Sequence, residues 1–142
     1  MTRLTRTDLI IWADTRLAEG LFPELIRRLV VASNHTVEAI VMPYGDSVGR
    51  SGLDGYVRAR SASAYVREDE SVWELGTNKD HATKANSDFK KRTTGTATFR
   101  QKELTYHFVT PRHWEKKAEW ESNPGSAKDK FVGHWKEVRV FG

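Results

Sequence analysis

Two carboxylates stand where neighbouring strands of a predicted sheet begin and end. Asp54 opens a predicted strand over 54–59, after a turn-rich stretch, 45–55, in which four of eleven residues are glycine. Glu74 lies in a predicted strand over 71–75 that is closed by Gly76. If these strands are antiparallel neighbours, Asp54 and Glu74 converge, and two carboxylates with room for water suit Mg²⁺. The alternative is a turn-rich connection whose aspartates bind only their own backbone.

Glu74 occupies a mostly apolar strand. Val72 and Glu74 share one face of this strand, while Trp73 and Leu75 share the other, because successive side chains alternate. A lone buried carboxylate is costly, so Glu74 needs a partner or a metal ion.

A lysine follows on the next predicted helix, over 80–93. Lys84 lies near its first turn, on a polar strip that also holds Asp88 and Arg92. Because this helix directly follows the strand of Glu74, its start is expected near that strand's end. There the Lys84 ammonium could orient an attacking water or stabilise charge on a scissile phosphate. The alternative is an ordinary surface pair between Lys84 and Asp88.

Several other chemistries are excluded by residue type. The chain has no cysteine, which excludes structural disulfides, thiolate catalysis and Cys-ligated zinc. Its five histidines have no zinc-motif spacing, and neither a Walker A loop nor a GxGxxG motif is present.

Length and charge favour one soluble domain with a polyanion partner. The 142 residues match a single domain, and no apolar run suits a signal peptide or a membrane span, so a cytoplasmic location is expected. Residues 1–76 carry 9 Lys and Arg against 11 Asp and Glu, whereas residues 77–142 carry 14 against 8. Such asymmetry is typical of a nucleic-acid-binding face, with a solvated lysine-rich surface as the alternative.

The hydrophobic pattern predicts an α/β sandwich with a mixed sheet. Helices are expected over 7–18, 23–33, 80–93 and 113–121, with Gly20 ending the first and Pro23 opening the second. Strands are expected over 36–42, 54–59, 71–75, 104–110 and 135–141, with a loop over 122–130. The chain stops right after a strand, so we expect it to be the N-terminal part of a longer protein.

These motifs together resemble the PD-(D/E)xK, or restriction-endonuclease-like, superfamily. Gly-Leu-Asp54-Gly, Trp-Glu74-Leu-Gly and the run from Lys84 to Arg92 carry the resemblance. It is most similar to the Mrr-type effector domains at the N-termini of bacterial antiviral STAND NTPases, to which 108–114 and 135–140 are also similar. The resemblance covers roughly 22–142 and implies a core of a helix, three antiparallel strands, a helix and a further strand, within a four- to five-stranded mixed sheet flanked by helices. The predicted N-terminal helix, within 1–20, precedes this core.

The resemblance also implies a metal site. Asp54 and Glu74 would hold Mg²⁺, or Mn²⁺ in its place, and Glu24 of the first core helix would add a third carboxylate. The signature lysine, two positions after Glu74, is replaced here by Gly76. Related enzymes can supply this lysine from the following helix, which points to Lys84, with Lys79 as the weaker candidate.

The function implied is a magnesium-dependent endonuclease that cleaves double-stranded DNA with little sequence preference, as an effector of antiphage defence. Self-association would be a natural trigger in such a protein. Phosphate contacts are expected from basic residues of the second half of the chain: Lys79, Lys90, Lys91, Arg92 and Arg112. Because Gly76 breaks the signature, the alternative is an inactive domain of the same fold that binds nucleic acid or protein.

Overall fold

The computed structural model describes residues 5–43, 54–122, 124 and 133–142. The glycine-rich stretch before Asp54 and most of the predicted loop over 122–130 lie outside these residues. The helices are α1 (Arg6–Ala13), α2 (Arg16–Ser33), α3 (His81–Thr94), α4 (Thr98–Gln101) and α5 (Lys117–Ser122). The strands are β1 (Val37–Val41), β2 (Gly55–Ala59), β3 (Asp69–Leu75), β4 (Thr105–Val109) and β5 (Glu137–Phe141).

The strands form one mixed sheet whose spatial order follows the chain, β1-β2-β3-β4-β5. The pairs β1–β2 and β2–β3 are antiparallel, while β3–β4 and β4–β5 are parallel. The parallel pairs need crossovers, which α3 with α4 provides in one case and the segment containing α5 in the other. The predicted α/β class with a mixed five-stranded sheet is therefore confirmed.

Helices cover both faces of the sheet, and the strand pleat assigns each β3 side chain to one of them. On one face, Trp73 and Leu75 pack in a core with Phe22, Ile26 and Val30 of α2. On the other, Val72 packs with residues of α3, β4 and α5. The alternation therefore directs Glu74, which is buried, to the face covered by α3.

The break between the first two helices lies earlier in the chain than the sequence predicts. The first begins at Arg6, one residue before its expected start, after a capping box between Thr5 and Asp8. It ends at Ala13, and α2 then continues through Gly20 and contains Pro23. Ala18, Phe22, Ile26 and Val30 recur every four residues and are all buried. Burial of this stripe outweighs the local glycine and proline signals.

The second half holds smaller differences. The sequence did not predict α4, whose Gln101 is buried and donates to the Thr93 and Thr96 carbonyls at 2.9 and 2.7 Å. The last helix begins at Lys117, not at His113. Within the described residues, every helix is too short or too polar to cross a lipid bilayer.

Candidate metal centre

Asp54 and Glu74 meet at one edge of the β2–β3 ladder. Gly55 pairs with Trp73, so Asp54, the residue before β2, lies beside Glu74. Asp54 Oδ2 accepts the Leu75 backbone N–H at 2.9 Å, which fixes the direction of its carboxyl group. The predicted convergence of these two carboxylates is confirmed, and the antiparallel register is its cause.

A third carboxylate, Asp88, joins them from α3. Asp54, Glu74 and Asp88 each offer one oxygen, and these three atoms lie within 4.8 Å of one another. Asp88 is on the polar strip predicted from the sequence, but it was assigned there only as a partner for Lys84. Its position one helical turn after Lys84 is the sequence signal that could have indicated a third carboxylate near the predicted metal site.

Lys84 reaches this cluster across Gly76. Its Nζ lies 3.1 Å from Asp88 Oδ1. A Cβ atom at position 76 would come within 3.1 Å of Lys84 Cγ and 3.3 Å of Phe108 Cζ, tighter than ordinary contact. The glycine therefore leaves the space through which the Lys84 stem passes. Gly76 stands where the signature has a lysine, and the lysine whose stem uses the space left by this glycine is Lys84.

Arg92 contacts the cluster from the next turns of α3. Its Nε donates to Glu74 Oε1 at 2.9 Å, and only 17% of the Arg92 side chain and 6% of the Glu74 side chain are exposed. Arg92, predicted to contact phosphate, is thus placed here against Glu74, with its guanidinium largely buried.

The electrostatics of the cluster reflect burial and mutual repulsion. Burial, followed by the neighbouring Asp54, raises the pKa of Glu74 to about 8. Burial also raises the pKa of Asp88, and the Lys84 ammonium opposes that shift. For Lys84 burial acts to lower the pKa, but Asp88 and the other two carboxylates together raise it.

One carboxylate oxygen is left without a partner. Asp88 Oδ2 is buried and accepts no hydrogen bond from any described residue. Buried carboxylate oxygens are normally satisfied, and hard oxygen ligands are what divalent cations such as Mg²⁺ take. The three carboxylates therefore form a group that can hold a metal ion.

Glu24 does not join this group. Its Oε1 accepts from Arg28 Nε at 2.9 Å, one turn along α2. The reason is topological, because α2 packs through Phe22, Ile26 and Val30 against the sheet face opposite to the one Glu74 occupies. The structure therefore does not bring Glu24, the predicted third metal ligand, to Asp54 and Glu74, and Asp88 is the third carboxylate of the group.

The remaining predicted DNA contacts divide into two sets. Lys79, Lys90 and Lys91 are exposed, the first just before α3 and the others on it. Arg112 is different: it is only 11% exposed, lies 2.9 Å from Asp14 and donates to the carbonyls of Thr77 and Ala13 at 2.9 and 3.1 Å. The structure thus places Arg112, predicted to contact phosphate, in internal contacts and not with the exposed lysines.

A separate apolar groove of about 440 Å³ lies on the α2 face, lined in part by Ile26, Leu29, Tyr65, Trp73 and Phe141. Among the residues that the structure describes, those lining this groove carry no acidic or basic side chain. The reactive groups are thus concentrated on the α3 face.

Comparisons with known proteins return no match to this chain among family models, curated proteins or solved structures. The resemblance to restriction-endonuclease-like proteins therefore stays a prediction from the sequence motifs.

Proposed function

We propose that this domain is a magnesium-dependent endonuclease of the restriction-endonuclease-like type that hydrolyses DNA phosphodiester bonds. The observation that carries the proposal is the convergence of Asp54, Glu74 and Asp88 with Lys84, whose stem crosses Gly76. The support from the fold is that three consecutive antiparallel strands are followed by a helix and a further strand, the order that the resemblance implies.

Each side chain has a distinct role in the proposal. Asp54, Glu74 and Asp88 would hold the cation, Mg²⁺ or Mn²⁺ in its place. A divalent cation supplies Lewis-acid stabilisation of phosphate charge and lowers the pKa of water. Asp54 is oriented by the Leu75 N–H, and the Lys84 ammonium is held by Asp88, so both groups are fixed before substrate arrives. Lys84 would stabilise the negative charge that develops on the scissile phosphate.

Substrate binding is assigned to exposed lysines near the cluster. Lys79, Lys90 and Lys91 are free of ion pairs within the described residues and belong to the basic half of the chain. Contacts of this kind reach the phosphate backbone, which is common to all sequences, so little sequence preference is proposed. Double-stranded DNA, and a role in antiphage defence, follow from the resemblance alone.

Cleavage of supercoiled plasmid tests the proposal. We expect nicking or linearisation with Mg²⁺ and none with EDTA, and loss of activity in Asp54→Asn, which keeps an oxygen to accept the Leu75 N–H. Glu70→Gln is a matched control, since Glu70 is in the same strand as Glu74 but pairs with Arg100. A folded wild-type chain that never cleaves DNA or RNA with Mg²⁺ or Mn²⁺ would refute it.

The alternative is a binding module that has lost activity. Gly76 favours this function, because the signature lysine is missing from the strand. The position of Lys84 over Gly76 speaks for the nuclease instead, since it returns an ammonium to the carboxylates. Metal-independent DNA binding without cleavage would establish the binding module.

A further inference from the structure

The acidic cluster already contains two cations from its own chain. Lys84 pairs with Asp88 at 3.1 Å, and Arg92 pairs with Glu74 at 2.9 Å. When all three carboxylates are ionised, as they must be to bind a cation, the two cationic side chains leave the cluster with a single formal negative charge. Both cations come from α3, where Lys84 lies one turn before Asp88 and Arg92 one turn after it.

The Arg92–Glu74 pair is the more deeply placed of the two. Lys84 keeps about a third of its side chain exposed, at 34%, whereas Arg92 keeps 17%. An arginine cannot lose its proton in a protein, so this charge stays within the cluster at every working pH. Charges interact strongly where water is excluded, and a fixed guanidinium therefore repels any further cation close to Glu74.

We propose that Arg92 stands in place of a second metal ion, so that the cluster takes one divalent cation and not two. This inference rests on the proposed metal-dependent function. One divalent ion changes the formal charge of the cluster from one negative to one positive, whereas two would bring it to three positive in a largely buried site. The unpartnered Asp88 Oδ2 is available to the single ion without displacing Arg92.

The removal of Arg92 changes this balance. Arg92→Gln keeps a hydrogen-bond donor for Glu74 but deletes the charge, so the cluster carries two formal negative charges. The affinity for the first cation then rises by about tenfold or more, and a second cation becomes able to bind. Arg92→Lys keeps the charge and therefore keeps one cation.

Calorimetric titration of the metal-free chain with MnCl₂ tests the proposal, with electron paramagnetic resonance of free Mn²⁺ as a second count of bound ions. We expect one ion for the wild type and for Arg92→Lys, and two ions or the tenfold tighter first ion for Arg92→Gln. Arg100→Gln is the matched control, because it removes an arginine from Glu70 of the same strand and leaves the cluster intact. Its titration should equal that of the wild type.

The outcomes separate this inference from the function on which it rests. A folded wild type that binds no Mn²⁺ at millimolar concentration overturns the metal-dependent function and the inference with it. Two ions in the wild type, or unchanged stoichiometry and affinity in Arg92→Gln, overturn the inference and leave the nuclease proposal standing. If Arg92→Gln does not fold, Arg92→Met takes its place, because methionine keeps an aliphatic stem in the same space. A count of two bound ions in the wild type overturns the inference without any variant.

Discussion

Replacing Glu74 by glutamine is expected to stabilise the metal-free protein while abolishing its function. Glu74 is 5% exposed, beside Asp54 and Arg92, and burial with the neighbouring Asp54 raises its pKa to about 8. Glutamine has nearly the same shape and its carbonyl oxygen can still accept from Arg92 Nε. What it removes is only the ability to ionise.

The sign and size of the effect follow from proton linkage. Between the ordinary glutamate pKa of 4.5 and about 8, the unfolded chain has lost this proton while the folded chain retains it. The stability of metal-free wild type therefore falls as pH rises through this window and levels off above it. A pKa of about 8 against 4.5 corresponds to about 5 kcal/mol as an upper bound. Glu74→Gln avoids this loss, so it gains a few kcal/mol at pH 9 and almost nothing at pH 5.

Urea unfolding in EDTA from pH 5 to pH 9 measures the difference directly. The control, Glu70→Gln, makes the same chemical change in the same strand, where hydrogen bonds from Arg100 and Tyr56 lower the pKa of Glu70. There the ionised form is the one that the fold favours, so Glu70→Gln should lose stability at neutral pH. Added Mn²⁺ should stabilise the wild type and not Glu74→Gln. If wild type and Glu74→Gln run parallel across the whole pH range, Glu74 is not the destabilised buried carboxylate described here.

Three further outcomes are expected. Lys84→Ala should lower the cleavage rate by orders of magnitude with DNA affinity nearly unchanged, whereas Lys79→Ala should change neither the rate nor the affinity by much. Single-turnover experiments measure the rate, and DNA titrations in Ca²⁺ measure the affinity. A larger loss of rate in Lys79→Ala than in Lys84→Ala would withdraw Lys84 from the site. Gly76→Ala should displace the Lys84 stem, because its Cβ would lie 3.1 Å from that stem and 3.3 Å from the buried Phe108. The cleavage rate should therefore fall strongly while the melting temperature changes little. An unchanged cleavage rate would show that the Lys84 stem is not held there. DNA affinity should fall by more than about tenfold between low and moderate salt, as measured by fluorescence anisotropy, and a shallower dependence would mean that few phosphates are contacted.

The part of the site that the sequence predicted depends on local rules. Antiparallel pairing of two short strands with a glycine boundary at each end is enough to bring Asp54 beside Glu74. Helical periodicity is enough to put Lys84 and Asp88 on one strip. Asp88 was missed as a third carboxylate because an i,i+4 pair with lysine already accounted for it, and only the packing of α3 over β3 brings it to the other two.

The predicted site residues and helix boundary that the structure places differently have one cause. Burial depends on tertiary packing, which local sequence patterns do not contain. Arg92 and Arg112 carry the same charge as exposed lysines in the sequence, yet both guanidiniums are held inside by acceptors distant in the chain. Glu24 has the right residue type on the expected helix, but that helix covers the wrong face of the sheet. Gly20 and Pro23 signal a helix boundary locally, and the buried face of α2 overrides them.

Arg112 joins three parts of the chain that are far apart in sequence. Its guanidinium donates hydrogen bonds to the Ala13 carbonyl at the end of α1 and to the Thr77 carbonyl between β3 and α3, and it forms an ion pair with Asp14. It thus serves as a C-terminal cap for α1, satisfying a carbonyl that the helix itself leaves open. Loss of these contacts would release both the end of α1 and the segment that leads to Lys84, so we expect Arg112→Ala to speed amide exchange in both. Through Arg112, the first helix of the chain is thus tied to the connection that leads from β3 to α3, the helix that carries Lys84.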